Sequence, residues 1–141
     1  MSYDDYLVSL TRHIPESLAS GQIAEVRALG ALSMAKNTAV WRPSPQQIGS
    51  EAFRAIVGDP RYTSRGLARG TVLDSTEGGL VEIKSGSSEL DSTYQLRLQT
   101  YRSVIEKKRL TLYTSRIIPA SLRQWLSPKG VEVRPLPQPE P

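Results

Sequence analysis

Two short apolar runs set about a Gly78-Gly79 turn, Gly70-Thr71-Val72-Leu73-Asp74 and Leu80-Val81-Glu82-Ile83-Lys84, constrain this chain more than any other feature. Successive side chains on a strand point to opposite faces, so Glu82 and Lys84 share one face and Val81 and Ile83 the other. The apolar pair is thereby directed into a core. A hairpin symmetric about Gly78 sets Asp74 opposite Glu82, and carboxylates and an ammonium then meet on one patch of sheet.

Such a patch suits metal-assisted phosphodiester cleavage. Carboxylate oxygens hold a hard divalent cation, and a neighbouring lysine orients or activates the attacking water. A Glu and a Lys two apart on a solvated strand usually do no more than aid solubility, so Glu-x-Lys alone carries little. What raises it is the preceding Asp74, the apolar positions between, and the amphipathic helix predicted to follow.

The chain's length suits one compact domain with a helical extension. Its hydrophobic fraction of 38% and charged fraction of 23% are those of a folded globular chain. No apolar run approaches the roughly 20 residues of a membrane span, and Asp4 and Asp5 stand where a signal peptide carries basic residues. With no Cys there are no disulfides, thiolate zinc sites or Cys nucleophiles. His13, the single histidine, lies in the helical N-terminal segment, so a His-dependent RNase mechanism, a Ser-His-Asp triad and a multi-His metal site are not expected.

Charge is unevenly placed. The formal net charge is +4, yet three cations against four acids through Val40 leave −1 there and +5 for the remainder. The basic surplus travels with the Asp74 and Glu82 region, which favours a polyanion such as nucleic acid over a small phosphoester.

Helical spacing recurs over 3–10 and 15–36, with Ile23, Val26, Leu29 and Leu32 in phase. Two prolines in Arg42-Pro43-Ser44-Pro45 mark a boundary. Ser44 and Gln47 form a capping-box pattern for a helix ending near Gly58, which carries Glu51. A basic loop follows, with Arg61, Arg65 and Arg69 every four residues; they either clamp phosphates or form a solvated loop. Beyond Lys84, Asp91 or Ser92 is expected to cap a helix reaching Lys108. On it Tyr94, Leu98, Tyr101 and Ile105 make a core stripe, and Gln95, Gln99 and Arg102 a polar one. Leu110 to Ser115 reads as a buried strand beside the Glu82 strand, a short helix follows Pro119, and Val131 to Arg134 reads as a last strand.

An Asp on one strand followed by Glu-x-Lys on the next resembles the PD-(D/E)xK phosphodiesterase superfamily, whose fold is restriction-endonuclease-like. Asp74 and Glu82-Ile83-Lys84 occupy the motif positions, with Leu73 where the family often has Pro. No convincing strand precedes the Asp-bearing one, which departs from the family pattern. More narrowly, Gly79 to Thr114 is similar to nuclease domains at the C-termini of bacterial polymorphic toxins.

The resemblance implies an α/β domain over 43–135 with a mixed central sheet flanked by helices, preceded by a helical extension (1–42) and followed by a Pro-rich tail (136–141). It implies Mg²⁺ or Mn²⁺ held by Asp74, Glu82, the Ile83 carbonyl and Glu51, with Lys84 positioning water and Gln95 pointing into the site. Arg61, Arg65, Arg69 and Arg102 would contact nucleic acid, with DNA favoured over RNA. It further implies an acidic cognate immunity protein, and action in the cytoplasm of a target bacterium after delivery by a secretion system. A repair or recombination nuclease, or a non-catalytic nucleic-acid-binding module, are the rival readings.

Overall fold

The computed structural model describes residues 16–137, and the side chains from Gly21 onward. The expected helix over 3–10, His13 and the end of the Pro-rich tail lie outside the described residues.

Helix α1 (Glu16–Ala31) is followed by two short helices, α2 (Pro45–Ile48) and α3 (Glu51–Ile56). The chain then alternates: β1 (Leu80–Lys84), α4 (Tyr94–Glu106), β2 (Leu110–Thr114), α5 (Ala120–Leu126), a 3₁₀ turn (Ser127–Lys129) and β3 (Val131–Pro135). The sheet order is β1-β2-β3, and both pairings are parallel, with Glu82 level with Leu112 and Leu112 level with Val133. A helix returns the chain after each of the first two strands, as parallel pairing requires. The structure is therefore α/β with helices on the sheet, but the strands among the described residues are all parallel. This corrects the expectation of a mixed sheet.

The Gly70–Asp74 run is the reason. It does not form a regular strand; it makes single antiparallel bridges, Trp41 with Thr71 and Ser75 with Val81. Both Asp74 N–H and Ser75 N–H donate to the Val81 carbonyl, at 3.0 and 3.2 Å, so two residues face one and the ladder stops. That is the signature of a bulge. The predicted symmetry about Gly78 holds all the same, since Ser75 and Val81 are equidistant from it. The Asn37–Trp41 segment supplies a partner for this run, with backbone bonds from Asn37 to Asp74 and in both directions between Trp41 and Thr71.

Hydrophobic patterning fixes the layers. Val81, Ile83 and Tyr113 pack against Ala28 and Leu29 of α1 on one face of the sheet. On the other face Leu80, Leu110 and Leu112 meet Leu96 of α4 and Leu122 and Leu126 of α5. The stripe Tyr94, Leu98 and Tyr101 turns away from the sheet toward Phe53 and Val57, so α4 is packed on both sides. Its sheet-facing stripe is then free to carry polar residues, and Gln99, Thr100 and Ser103 are all buried.

Helix ends follow local chemistry. Ser44 and Gln47 form the predicted capping box. Gly49 ends α2, and Ser50 starts α3 afresh by accepting the Phe53 N–H, so the single helix expected from Pro45 to Gly58 is split. Thr93, rather than Asp91 or Ser92, caps α4, and Lys107 in the left-handed region closes it. Among the described residues no helix is long and apolar enough to cross a membrane.

Candidate functional site

Strand β1 is buried on both faces, so Glu82 is only 5% exposed and must find partners inside the protein. Its Oε2 accepts from Gln99 Nε2 at 2.8 Å, and the same amide donates to the Thr71 hydroxyl at 3.0 Å. Lys84 Nζ lies 3.6 Å from Glu82 Oε2 and stays partly exposed, one end in the cluster and the other toward solvent. Asp74 is 7% exposed, and its Oδ2 accepts the Ile83 N–H at 2.7 Å. The N–H and C=O of a strand residue point the same way. The Ile83 carbonyl is thus directed to the same edge as Asp74.

A third carboxylate comes from α1. Glu25 pairs with Lys36, and Lys36 Nζ also lies 3.2 Å from Asp74 Oδ1. Lys36 thus links Asp74 to the carboxyl group of α1, and burial together with the Asp74 charge raises both Glu25 and Glu82.

These groups cannot all be ionised comfortably. Burial, reinforced by the Asp74 charge, pushes Glu82 up to about 8, against partial relief from Lys84 and Gln99. Burial and Asp74 likewise push Glu25 up to about 7, although Lys36 opposes them. Asp74 is also penalised by burial, but hydrogen bonds from Glu82 and the Ile83 N–H, together with Lys36, outweigh this and hold it below its ordinary value. Lys36 is held above its ordinary value because Glu25 and Asp74 overcome its own burial. At neutral pH the ionised Asp74 is thus flanked by carboxyl groups inclined to keep their protons.

Several expected members lie elsewhere. Glu51 is exposed at the start of α3 and makes no ion pair among the described residues. Phe53, the buried residue of that helix, is two positions on, and positions two apart do not share a helix face. Glu25 stands in the cluster where Glu51 was expected. Gln95 donates instead to the Gly70 carbonyl at 3.2 Å, and Gln99, one turn on, reaches Glu82. Arg102 Nε bonds Glu106 at 3.0 Å, and its guanidinium sits 5.5 Å over the Trp41 ring. Arg61, Arg65 and Arg69 are exposed, and Arg61 lies 5.5 Å over the ring of Tyr94.

Glu25 had a readable signal, an acid set within the apolar helical phase of Val26 and Leu29. Lys36 and Thr71 had none, because their roles arise from contacts distant in sequence.

Among the described residues, no three acidic or histidine side chains stand together as a ready-made cation cage. Lys36 is interposed between Glu25 and Asp74. The donor chemistry nevertheless fits a hard divalent ion, since the candidates are buried carboxyl groups and a backbone carbonyl. Comparison of the chain with protein-family models, with curated proteins and with solved structures gave no match.

Proposed function

We propose that this chain is a metal-dependent nuclease hydrolysing phosphodiester bonds, with DNA favoured over RNA, and that it acts as an interbacterial toxin neutralised by an acidic cognate immunity protein. The observation that carries the nuclease reading is the meeting of Asp74, Glu82 and Lys84 at one buried edge, with Lys84 3.6 Å from Glu82. The toxin biology, including action in the cytoplasm of a target bacterium, rests on the sequence resemblance alone.

In this reading Asp74, Glu82, the Ile83 carbonyl and Glu25 hold Mg²⁺ or Mn²⁺. When bound, the ion polarises the phosphate and acidifies water. Lys84 positions that water and offsets charge developing on the phosphate oxygens. Gln99 fixes the Glu82 carboxyl through one N–H while tying it to Thr71. Lys36 balances the acids until the cation arrives.

The deciding experiment incubates purified protein with plasmid DNA and with total RNA, in Mg²⁺ or in chelator, beside Lys84→Ala prepared identically. Cleavage by the wild type alone, dependent on the ion, is expected. Equal cleavage by the variant, or in chelator, rules the reading out.

A further inference from the structure

The segment 61–72 leads away from the carboxylates, and it is built as a ribbon. Arg69 N–H donates to the Arg61 carbonyl at 2.7 Å, Thr63 N–H donates to Leu67 O at 2.8 Å, and Tyr62 bridges Ala68. Arg42 braces it through the Ala68 carbonyl at 2.8 Å, and the Tyr94 hydroxyl donates to Arg69 O at 3.2 Å. A loop held this firmly would be expected to bury its large apolar groups. It does the opposite: Tyr62 is 56% exposed, Leu67 52%, Val40 54% and Val72 40%.

The exposure has a pattern. Tyr62 shares a face with its bridge partner Ala68, and further along the same segment Val72 is exposed while Thr71 and Leu73 on either side of it are buried. A Cβ at Gly70 would lie 2.8 Å from Val40 Cγ1 and Arg42 Cγ, which places those residues on the same side. An apolar face bearing one aromatic ring is therefore open to solvent, with Arg42 beside it and Arg65 at the tip. Segment 59–72 carries three arginines against the single acid Asp59, so a polyanion is the complementary occupant.

The ribbon is also continuous with the candidate site. Three residue steps lead from Ala68 to Thr71, whose hydroxyl shares Gln99 with Glu82. At about 3.3 Å per residue this is about 10 Å. That is the length of roughly three stacked nucleotides at ~3.4 Å each.

We infer that Tyr62 is a stacking platform for an unpaired base a few nucleotides from the scissile bond, so that single strands, and unpaired stretches within a duplex, are the preferred substrate. The inference rests on the nuclease reading above. An exposed ring can stack only on a base that is not already paired and stacked within a duplex, and neighbouring guanidinium groups hold the backbone. Tyr62 is outside the chemical machinery and acts through binding.

Fluorescence anisotropy with labelled single-stranded DNA, single-stranded RNA and duplex DNA, all in chelator so that strands stay intact, tests this. Tyr62→Ala should weaken binding of at least one single strand by roughly 5- to 100-fold, Tyr62→Phe and Tyr62→Trp should retain it, and duplex binding should not change. No loss in Tyr62→Ala, as expected if the ribbon serves a protein partner instead, overturns the inference, and so does an equal loss on duplex; either leaves the nuclease reading standing. Failure of the wild type to bind any of the three probes would likewise overturn the inference, while the nuclease reading stands or falls on the cleavage assay.

Discussion

Asp74 accepts the backbone N–H of Ile83 at 2.7 Å, and through this bond an irregular segment is fixed to the one strand that carries both Glu82 and Lys84. A buried carboxylate accepting a backbone N–H is oriented as well as stabilised. Asp74→Asn keeps the shape but removes the charge, and its amide oxygen can still accept the Ile83 N–H. Calorimetric titration with Mn²⁺ should show weakened binding in Asp74→Asn, with the fold retained by circular dichroism.

Lys84→Ala should lower cleavage by on the order of a hundredfold or more, the usual loss for a removed electrostatic stabiliser. Glu82 is buried, so the informative variant is Glu82→Gln rather than Glu82→Ala, which leaves a cavity beside Gln99. Single-turnover rates of the two variants should fall alike while melting temperatures stay near the wild-type value.

Glu25 and Glu51 should behave differently. Glu25→Gln removes a member of the carboxyl cluster and should reduce both Mn²⁺ affinity and cleavage. Glu51→Gln changes an exposed helix-start residue and should leave both unchanged. A parallel contrast holds on α4, where Gln99→Ala should impair cleavage by freeing Glu82, and Gln95→Ala should cost only ribbon stability of about 1 kcal/mol.

Stability should fall as pH rises through neutrality. Glu25 and Glu82, raised to about 7 and about 8, hold protons in the folded state that the unfolded chain, near 4.5, has already released. Where the native state binds more protons, unfolding free energy declines with rising pH. Asp74, held below its ordinary value, works in the opposite sense, and its contribution is lost only in acid. Urea midpoints should therefore drop from about pH 5 to about pH 9, and Glu82→Gln should flatten the slope. A wild-type midpoint that rises across this range contradicts the assigned protonation.

Gly70→Ala should destabilise the fold by about 1–3 kcal/mol. A Cβ there would lie 2.4 Å from the Trp41 carbonyl oxygen, and backbone cannot swing aside as a side chain can. Thermal unfolding of Gly70→Ala against a surface control such as Ser87→Ala measures it.

What the sequence made legible follows the range of the forces involved. Alternation on Leu80–Lys84 and the Gly78 turn are local, and they correctly set Asp74 near Glu82. Ser44 and Gln47 likewise read as the cap they are. The Gly70–Asp74 run has strand composition, but the doubled pairing at Val81 is set by how the chain crosses β1, which no window of residues records. Glu51 is the acid the resemblance implies, because it rides on the helix preceding the Asp74 run. Glu25 reaches the cluster because α1 packs on Val81 and Ile83, a contact across more than fifty residues. Gln95 and Gln99 occupy one stripe, and only the height of α4 against β1 decides between them.

Lys36 gives the acid cluster an internal counter-ion. Chains whose ligand cage is unbalanced without metal fold only on loading, and chelators unfold them. Here a flexible ammonium already supplies positive charge, and its long stem allows it to withdraw. On the proposed metal-dependent reading, a divalent cation would take the place of the Lys36 ammonium rather than fill an unbalanced cage, and chelator should not lower the melting point.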